Sequence, residues 1–318
     1  MNIDVLKFLA IHMGLDTRSA NRLIRSAPDR YKVYNIKKKT GGLREIAHPA
    51  SELKMVQSAL VDEYLKQLPI HPAATAYVEG TSIRTNAARH AVNGPIKKFD
   101  FESFFPSITE QAWLNYCRRH EVCDRGQAIM LGRLLFRRPK GGTILRLSIG
   151  APSSPILSNI LMYEFDKLIQ EQVAKHSVTY TRYADDLTFS AERTGYLNSV
   201  ERILRSTLVE IGTPKLRINE SKTVTATKKY RRQITGLILT NDNRVSIGRE
   251  RKRTLRATID HFKRGNLDID QTVKLAGQMA FAKDVEPEFY TRMERTYGKA
   301  TLDNLKQAMK GYHRPGFR

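Results

Sequence analysis

The chain has 318 residues, and its composition of 41% hydrophobic and 27% charged residues excludes a disordered protein, because it can bury an apolar core. Lysine and arginine total 54 against 32 acidic residues, so the formal net charge is +22 and a polyanionic partner is predicted. Nucleic acid fits this charge through phosphate neutralisation and counterion release. An anionic membrane would need an amphipathic or lipidated anchor, and the sequence shows no such pattern, so we expect no membrane partner.

The apolar residues 5–13 are predicted to form a helix and not a secretion signal. Lys7 and His12 interrupt the run, and no small-residue cleavage site follows it. We therefore expect a cytoplasmic protein with reduced thiols. Cys117 and Cys123 flank a single histidine, which is a poor zinc pattern and a weak disulfide framework.

A basic β-hairpin is predicted near the N-terminus. Strand-like residues 31–36 and 43–46 flank the turn Lys37-Lys38-Lys39-Thr40-Gly41-Gly42. Ser51 is predicted to cap a helix, because apolar residues then recur at helical spacing as far as Leu68.

Two later segments place aspartates at the ends of strands. Residues 96–101 form a short apolar strand that ends at Asp100, because the phenylalanine pair and proline that follow do not fit a central strand. Residues 178–190 are predicted to form a strand, a tight turn and a second strand, with Asp185 and Asp186 at the turn.

The C-terminal part is predicted to be helical and basic. Residues 234–240 and 244–247 are expected to form one more hairpin, and helices are expected from Gly248 onward. The stretch 249–264 carries seven basic residues against two acidic ones. A solvated helix face is one interpretation, but the scarcity of opposing charges favours a surface that contacts phosphates.

Asp100, Asp185 and Asp186 are predicted to meet in the folded chain. Divalent cations would neutralise such a cluster, since Mg²⁺ prefers a few carboxylates together with phosphate oxygens and water. Two ions about 3.5–4 Å apart would clamp the attacking 3′-hydroxyl and the leaving pyrophosphate of an in-line displacement, which is the chemistry of a polymerase. Turn preference alone explains an isolated Asp-Asp pair equally well, so the surrounding sequence decides.

That surrounding sequence resembles the palm of reverse transcriptases. Tyr183-Ala184-Asp185-Asp186 resembles the YxDD box of this family, and residues 100–105 resemble the strand that carries its first catalytic aspartate. Further segments resemble other family motifs in the same order along the chain: residues 42–49 with Arg44, Gly150-Ala151-Pro152-Ser153-Ser154-Pro155 with Asn159, and residues 216–223. The resemblance covers roughly residues 30–248.

The resemblance implies an α/β right-hand polymerase whose palm is an antiparallel sheet covered by helices. Residues 1–95 would form the N-terminal helices and fingers, residues 96–245 the palm with finger elements inserted around 110–145, and residues 246–318 a basic helical thumb. The implied reaction is addition of deoxynucleotides to a 3′ end on an RNA template. Two Mg²⁺ ions would be held by the three aspartates and the backbone carbonyl of Phe101.

The resemblance also implies a nucleotide site, whose residues would be Arg44, Phe105, Gly150, Ala151, Pro152 and Lys222. Arg44 and Lys222 would face the triphosphate, and the ring of Phe105 would exclude a 2′-hydroxyl. Core packing of Phe105 and a plain surface position for Lys222 are the alternatives. The family's usual proline and glutamine before the central glycine are replaced here by Ser148 and Ile149, which removes a side-chain contact to nucleotide or template.

Two short motifs narrow the resemblance to the retron reverse transcriptases of bacteria. Asn86-Ala87-Ala88-Arg89-His90 matches their NAxxH sequence, and Ile234-Thr235-Gly236 resembles their VTG motif. Such enzymes copy part of a structured non-coding RNA into branched single-stranded DNA, primed from an RNA 2′-hydroxyl, and act in antiphage defence beside an effector protein. With the basic helix included, the expected RNA-binding residues are Asn86, His90, Ile234, Thr235, Gly236, Arg249, Arg251, Lys252, Arg253 and Arg256.

Two alternative functions are also compatible with parts of the sequence. One is a group II intron or diversity-generating reverse transcriptase, although the former normally carries a maturase region that is not recognisable here. The other is a catalytically silent RNA-binding scaffold. Three carboxylates near phosphates argue against a scaffold, because pure binding does not need them.

Overall fold

The structure, a computed structural model, describes residues 3–38 and 41–310. Lys39 and Thr40 of the predicted hairpin turn, and residues 311–318 of the predicted thumb, lie outside the described residues. The α-helices are α1 (Val5–Met13), α2 (Thr17–Ser26), α3 (Ser51–Glu63), α4 (Ile83–Ala91), α5 (Phe104–Ser107), α6 (Glu110–Arg119), α7 (Arg125–Leu135), α8 (Ser154–Leu161), α9 (Tyr163–Ala174), α10 (Val200–Ile211), α11 (Arg249–Lys263), α12 (Ile269–Val285), α13 (Pro287–Tyr297) and α14 (Lys299–Lys310).

The strands are short, and each of the pairings described below is antiparallel. They are β1 (Tyr31–Lys37), β2 (Leu43–Pro49), β3 (Ile96–Asp100), β4 (Thr179–Tyr183), β5 (Asp186–Ser190), β6 (Val224–Ala226), β7 (Arg232–Ile234), β8 (Leu237–Leu239) and β9 (Val245–Ser246). The chain divides into two compact units, of which the first comprises residues 1–82 and 95–225 and the second residues 83–94 and 226–318. The subdomain boundaries inferred from the sequence stay a prediction.

The first unit is organised around the sheet with strand order β4-β5-β3-β6. Aromatic rings pack between its central strands, where Phe99 on β3 contacts Phe189 on β5 edge to face at 5.8 Å between ring centroids. Trp113 of α6 is completely buried and its indole N–H donates to the carbonyl of Ala128, so the helices after α5 close over the same core. The predicted basic hairpin is confirmed, since β1 pairs with β2 from Tyr31 opposite Pro49 to Lys37 opposite Leu43.

A fully buried ion pair joins the helices of the first unit to its sheet. The Arg182 guanidinium on β4 lies 2.6 Å from the Asp166 carboxylate on α9, and neither side chain is exposed. The Tyr180 hydroxyl donates to the same carboxylate at 2.8 Å. Because buried charges are tolerated only when they are paired and hydrogen-bonded, this cluster fixes how α9 lies against β4.

The second unit packs α4 against the small sheet with strand order β7-β8-β9 and completes its core with α11 to α14. Arg232 on β7 is buried, and its guanidinium donates to the carbonyls of Asn93 and Gly94, which follow α4, and to that of Thr240. These bonds tie the segment after α4 to β7, although about 140 residues separate them in sequence. The helical character predicted after Gly248 is confirmed as far as residue 310.

Two sequence-based predictions of local structure need correction. The strand expected over residues 234–240 is interrupted, because β7 ends at Ile234 and β8 begins at Leu237. Thr235 and Gly236 form the turn between these strands with φ angles of 46° and 83°. The helix predicted to extend to Leu68 ends at Glu63, after which the chain tightens into a short 3-10 turn.

Two further observations concern the chain as a whole. No helix in residues 3–38 and 41–310 is long and apolar enough to cross a membrane. Cys117 and Cys123 both carry free thiols, and Cys117 is buried.

The buried ion pair generates a prediction about stability. Asp166→Asn leaves the Arg182 charge buried without a counter-charge, and we expect it to lower the free energy of unfolding by about 3–5 kcal/mol. Asp62→Asn is the matched control, because it breaks an exposed pair between Asp62 on α3 and Lys66 and should have little effect on stability. Urea denaturation followed by circular dichroism measures both, and equal small shifts would show that the buried pair does not hold the unit together.

Candidate active site

The β4-β5 hairpin brings two aspartates to one edge of the main sheet. Tyr183 pairs with Asp186 across the hairpin, which leaves Ala184 and Asp185 as a two-residue turn. Ala184 has a φ of 57°, in the left-handed region that such tight turns require. Of the two carboxylates predicted at the turn, Asp185 lies in this two-residue connection and Asp186 is the first residue of β5.

The third aspartate reaches the same place through the register of the neighbouring strand. Asp100, the last residue of β3, lies directly opposite Asp186 of β5. The backbone N–H of Phe101 donates to the carbonyl of Asp185 at 3.1 Å, so β3 is joined to the turn itself. The structure thus brings Asp100 together with Asp185 and Asp186, although 85 residues separate Asp100 from Asp185 in the sequence.

The three carboxylates interact unfavourably with one another. Burial raises the pKa of Asp185 to about 6, and the nearby charge of Asp100 contributes further. Burial also raises the pKa of Asp186, against the opposing effect of Lys98. Like charges held close together in a partly desolvated site are the arrangement that a bound cation neutralises.

Lys222 supplies the positive charge closest to this cluster. Its ammonium donates to Oδ1 of Asp100 at 2.7 Å, and this hydrogen bond raises the pKa of the lysine. The segment that carries it is fixed along the end of β3, because the N–H of Asn219 donates to the carbonyl of Asp100 and that of Glu102 to the carbonyl of Arg217. The side chain of Lys222 remains 53% exposed, so it can also meet a ligand from solvent.

The carboxylates of Asp100, Asp185 and Asp186 suit a metal ion that is also bound by phosphate groups better than they suit one enclosed by protein ligands alone. Across the part of the chain that the structure describes, no three His, Cys, Asp or Glu side chains form a group able to hold an ion by themselves. Mg²⁺ is commonly bound by one or two carboxylates together with substrate phosphates and water. Asp185 and Asp186, with Asp100 bonded to Lys222, match that requirement.

Two of the predicted nucleotide residues, Phe105 and Arg44, lie on a helix and a strand of the first unit. Phe105 is half-buried on α5. The centroid of its ring lies 5.5 Å from the ring centroid of Phe104 and 6.3 Å from that of Tyr77. Arg44 is exposed on β2, opposite Ile36 of the basic hairpin. Tyr77 was not predicted from the sequence, because nothing in its local pattern separates it from an ordinary loop tyrosine.

The loop Gly150-Ala151-Pro152 requires a glycine at its first position, both for its backbone conformation and because a side chain there would clash with β2. Gly150 has a φ of 123°, and a Cβ there would lie 2.4 Å from Cδ2 of His48 and 3.0 Å from the carbonyl oxygen of Ala47. The N–H of Ala47 donates to the carbonyl of Ile149 at 2.8 Å, which joins β2 to the loop. Ile149 therefore contributes through its backbone, and Ala151 and Pro152 follow as buried and half-buried residues.

Three residues of the two predicted RNA-recognition motifs lie inside the second unit. Asn86, His90 and Ile234 are completely buried. Burial lowers the pKa of His90 to about 3, so the imidazole is neutral at physiological pH. Thr235 and Gly236 are partly exposed at the β7-β8 turn, and the Thr235 hydroxyl faces the carbonyl of Ile83 on α4 at 3.5 Å.

The predicted basic residues on α11 divide into two groups. Exposed side chains belong to Arg249, Arg251, Arg253 and Arg256. Lys252 is half-buried and pairs with the carboxylate of Glu286, which also accepts from the Ser246 hydroxyl. Lys252 is therefore occupied within the unit. Arg251 and Arg256 lie over the rings of Phe281 and Phe289, and all four arginines keep exposed side chains.

Comparison with known proteins agrees with the geometry of the site. Residues 36–239 match the family described as reverse transcriptase (RNA-dependent DNA polymerase). The chain is 36% identical over 294 residues to the Retron Ec83 reverse transcriptase of Escherichia coli, covering 91% of this chain and 94% of that protein. It is 33% identical over 291 residues to the Retron Ec73 reverse transcriptase of the same organism, covering 87% and 90%.

A solved structure extends the agreement to the fold. The apo telomerase of Candida tropicalis superimposes with a TM-score of 0.51 at 13% identity, over 88% of this chain and 63% of that chain. The antiparallel sheet with its covering helices is that of a right-hand polymerase, as the sequence predicted. The family works on an RNA template with a divalent metal cofactor, and both requirements suit the carboxylate cluster and the basic surface. The chain belongs to the retron reverse transcriptases and is an RNA-directed DNA polymerase.

Proposed function

We propose that this chain synthesises branched single-stranded DNA from a structured non-coding RNA, using two Mg²⁺ ions held by Asp100, Asp185, Asp186 and the backbone carbonyl of Phe101. The observation that carries the proposal is the register of β3 against β5, which sets Asp100 opposite Asp186 and beside the turn that holds Asp185. When bound, the ions would polarise the phosphate and lower the pKa of the attacking hydroxyl. The hairpin keeps the carboxylates in place before any ligand binds.

The same edge of the first unit is proposed to receive the deoxynucleoside triphosphate. Lys222 would move from Asp100 to the triphosphate or the leaving pyrophosphate, since its ammonium is exposed and adjacent. Arg44 would hold the triphosphate from β2. The ring of Phe105 would lie beneath the sugar, and the backbone of the loop Gly150-Ala151-Pro152 would border the new base pair.

The partner RNA is proposed to contact the second unit. The four exposed arginines of α11 would neutralise phosphates, and guanidinium groups suit such contacts. Asn86, His90 and Ile234 would act by shaping the surface that α4 and the β7-β8 turn present, since their own side chains are buried. By analogy with retron enzymes, the RNA would prime from a 2′-hydroxyl, and the product would serve antiphage defence with an effector protein.

The metal site gives a direct test. Asp185→Asn with Asp186→Asn should reduce primer extension by about 10³-fold or more, because the metal supplies several kcal/mol of transition-state stabilisation. Asp242→Asn changes an exposed hairpin aspartate of the second unit and is the control. Extension on an annealed RNA template is measured with Mg²⁺ and again after EDTA. Synthesis at the normal rate by the double variant would refute the metal assignment.

The proposed sugar gate can be tested separately. Phe105→Ala should admit ribonucleotides, because removal of the ring frees the space that a 2′-hydroxyl would occupy. Phe105→Tyr keeps the ring and should retain the preference for deoxynucleotides. The measurement is the ratio of kcat/KM for dNTP to that for rNTP. An unchanged ratio in the alanine variant would make Phe105 a packing residue and move selection elsewhere.

Arginines on α11 should control affinity without controlling sequence preference. Arg249→Ala with Arg253→Ala should weaken binding to every RNA and reduce the slope of log Kd against log salt by about 1 per arginine, because fewer counterions are released. Arg205→Ala is the control, since this exposed arginine is already neutralised by Glu201 and Glu220. Filter binding across a salt series would contradict the proposal if both variants gave the same slope as the wild type.

A further inference from the structure

Tyr77 has a backbone conformation that its side chain disfavours. Its φ is 60°, in the left-handed region, where an aromatic residue is uncommon and a glycine or asparagine is usual. Its side chain is also 50% exposed, so burial of the ring does not explain why a tyrosine stands here. Unfavourable backbone conformations of this kind persist where the surrounding structure fixes them, and they cluster at functional sites.

The surrounding structure does fix this segment from both strands and helices. The N–H of Thr75 donates to the carbonyl of Arg182, and the N–H of Arg182 donates to the carbonyl of Ala73, each at 2.8 Å. Asn159 of α8 donates through Nδ2 to the carbonyl of Ala76 at 2.7 Å. The residue before Tyr77 is therefore held by a completely buried side chain, which in turn accepts from the Arg182 guanidinium.

Tyr77 is directed towards the proposed nucleotide site. The centroid of its ring lies 6.3 Å from that of Phe105, with the planes inclined by 49°. Burial raises the pKa of Tyr77, the negative charge of Asp185 raises it further, and Arg44 opposes the shift. The phenol thus lies within the electrostatic reach of a catalytic carboxylate and of the arginine proposed to hold triphosphate.

We propose that Tyr77 is a positioning residue that holds the ring of Phe105 in the orientation that excludes a 2′-hydroxyl. This inference rests on the proposed nucleotide site. Phe105 contacts one ring from its own helix, that of Phe104, and one from a distant segment, that of Tyr77. Loss of the Tyr77 ring would leave one side of Phe105 without support, and the side chain would gain the freedom to move aside for a ribonucleotide.

Three substitutions separate the ring, the hydroxyl and the backbone conformation. Tyr77→Phe keeps the ring, Tyr77→Ala removes it while the unfavourable φ remains, and Tyr77→Gly removes it and accepts the φ without strain. We expect the ratio of kcat/KM for dNTP to that for rNTP to fall about tenfold in both the alanine and the glycine variants. The phenylalanine variant should keep the wild-type ratio. Tyr196→Ala, at another partly exposed tyrosine of the first unit, is the control.

The double variant Tyr77→Gly with Phe105→Ala tests whether the two rings act as one unit. If Tyr77 acts through Phe105, the double variant should have the same ratio as Phe105→Ala alone. An additive loss would overturn the proposal, as would an unchanged ratio in both Tyr77→Ala and Tyr77→Gly, or a loss in Tyr77→Phe as large as in Tyr77→Ala. If Phe105→Ala itself leaves the ratio unchanged, the proposed sugar gate fails first, and the positioning role fails with it.

Discussion

The buried guanidinium of Arg182 is the interaction on which the active edge of the first unit depends. It is bonded to both carboxylate oxygens of Asp166, to Oδ1 of Asn159 and to the carbonyl of Ala184 in the turn that carries Asp185. Its backbone also holds the segment that leads to Tyr77. Removing two charges from water is costly, and only such complete pairing offsets the cost. One residue therefore joins two helices, a loop and the hairpin that carries the aspartates.

This rigid support allows the neighbouring carboxylates to remain in an unfavourable arrangement. Asp185 and Asp186 are partly desolvated and close to Asp100, and the pKa of each is raised. An isolated hairpin would relax by moving the charges apart, but here the register of three strands prevents it. Lys222 compensates part of the repulsion through its ion pair with Asp100. The interior of the unit is thus stabilised by the buried ion pair, and this stability tolerates the repulsion between carboxylates at the edge of the sheet. Unfavourable arrangements of this kind are common at functional sites.

The second unit uses buried polar groups for a different purpose. Arg232 and His90 are both inside it, the first bonded through its two terminal nitrogens to backbone carbonyls and the second held neutral by burial. The bonds of Arg232 join β7 to the segment that follows α4, while the arginines of α11 remain exposed. Asn86, His90 and Ile234, which the sequence motifs predicted to contact RNA, therefore lie in the interior of the second unit. We propose that recognition of the RNA belongs to the surface formed above these buried residues.

The sequence by itself determined the polymerase chemistry, the sheet-and-helix fold and the basic C-terminal surface. The basic C-terminal surface, the strand that stops at Asp100 and the tight turn at Asp185 follow from local signals. The polymerase chemistry and the right-hand fold were implied by the resemblance of several motifs, in the same order along the chain, to those of reverse transcriptases. Only the tertiary structure decided that Asp100 lies opposite Asp186, that Lys252 pairs with Glu286 and that Tyr77 contacts Phe105. Such contacts join segments between about 28 and 86 residues apart, and local sequence patterns specify conformation but not which distant surfaces pack together.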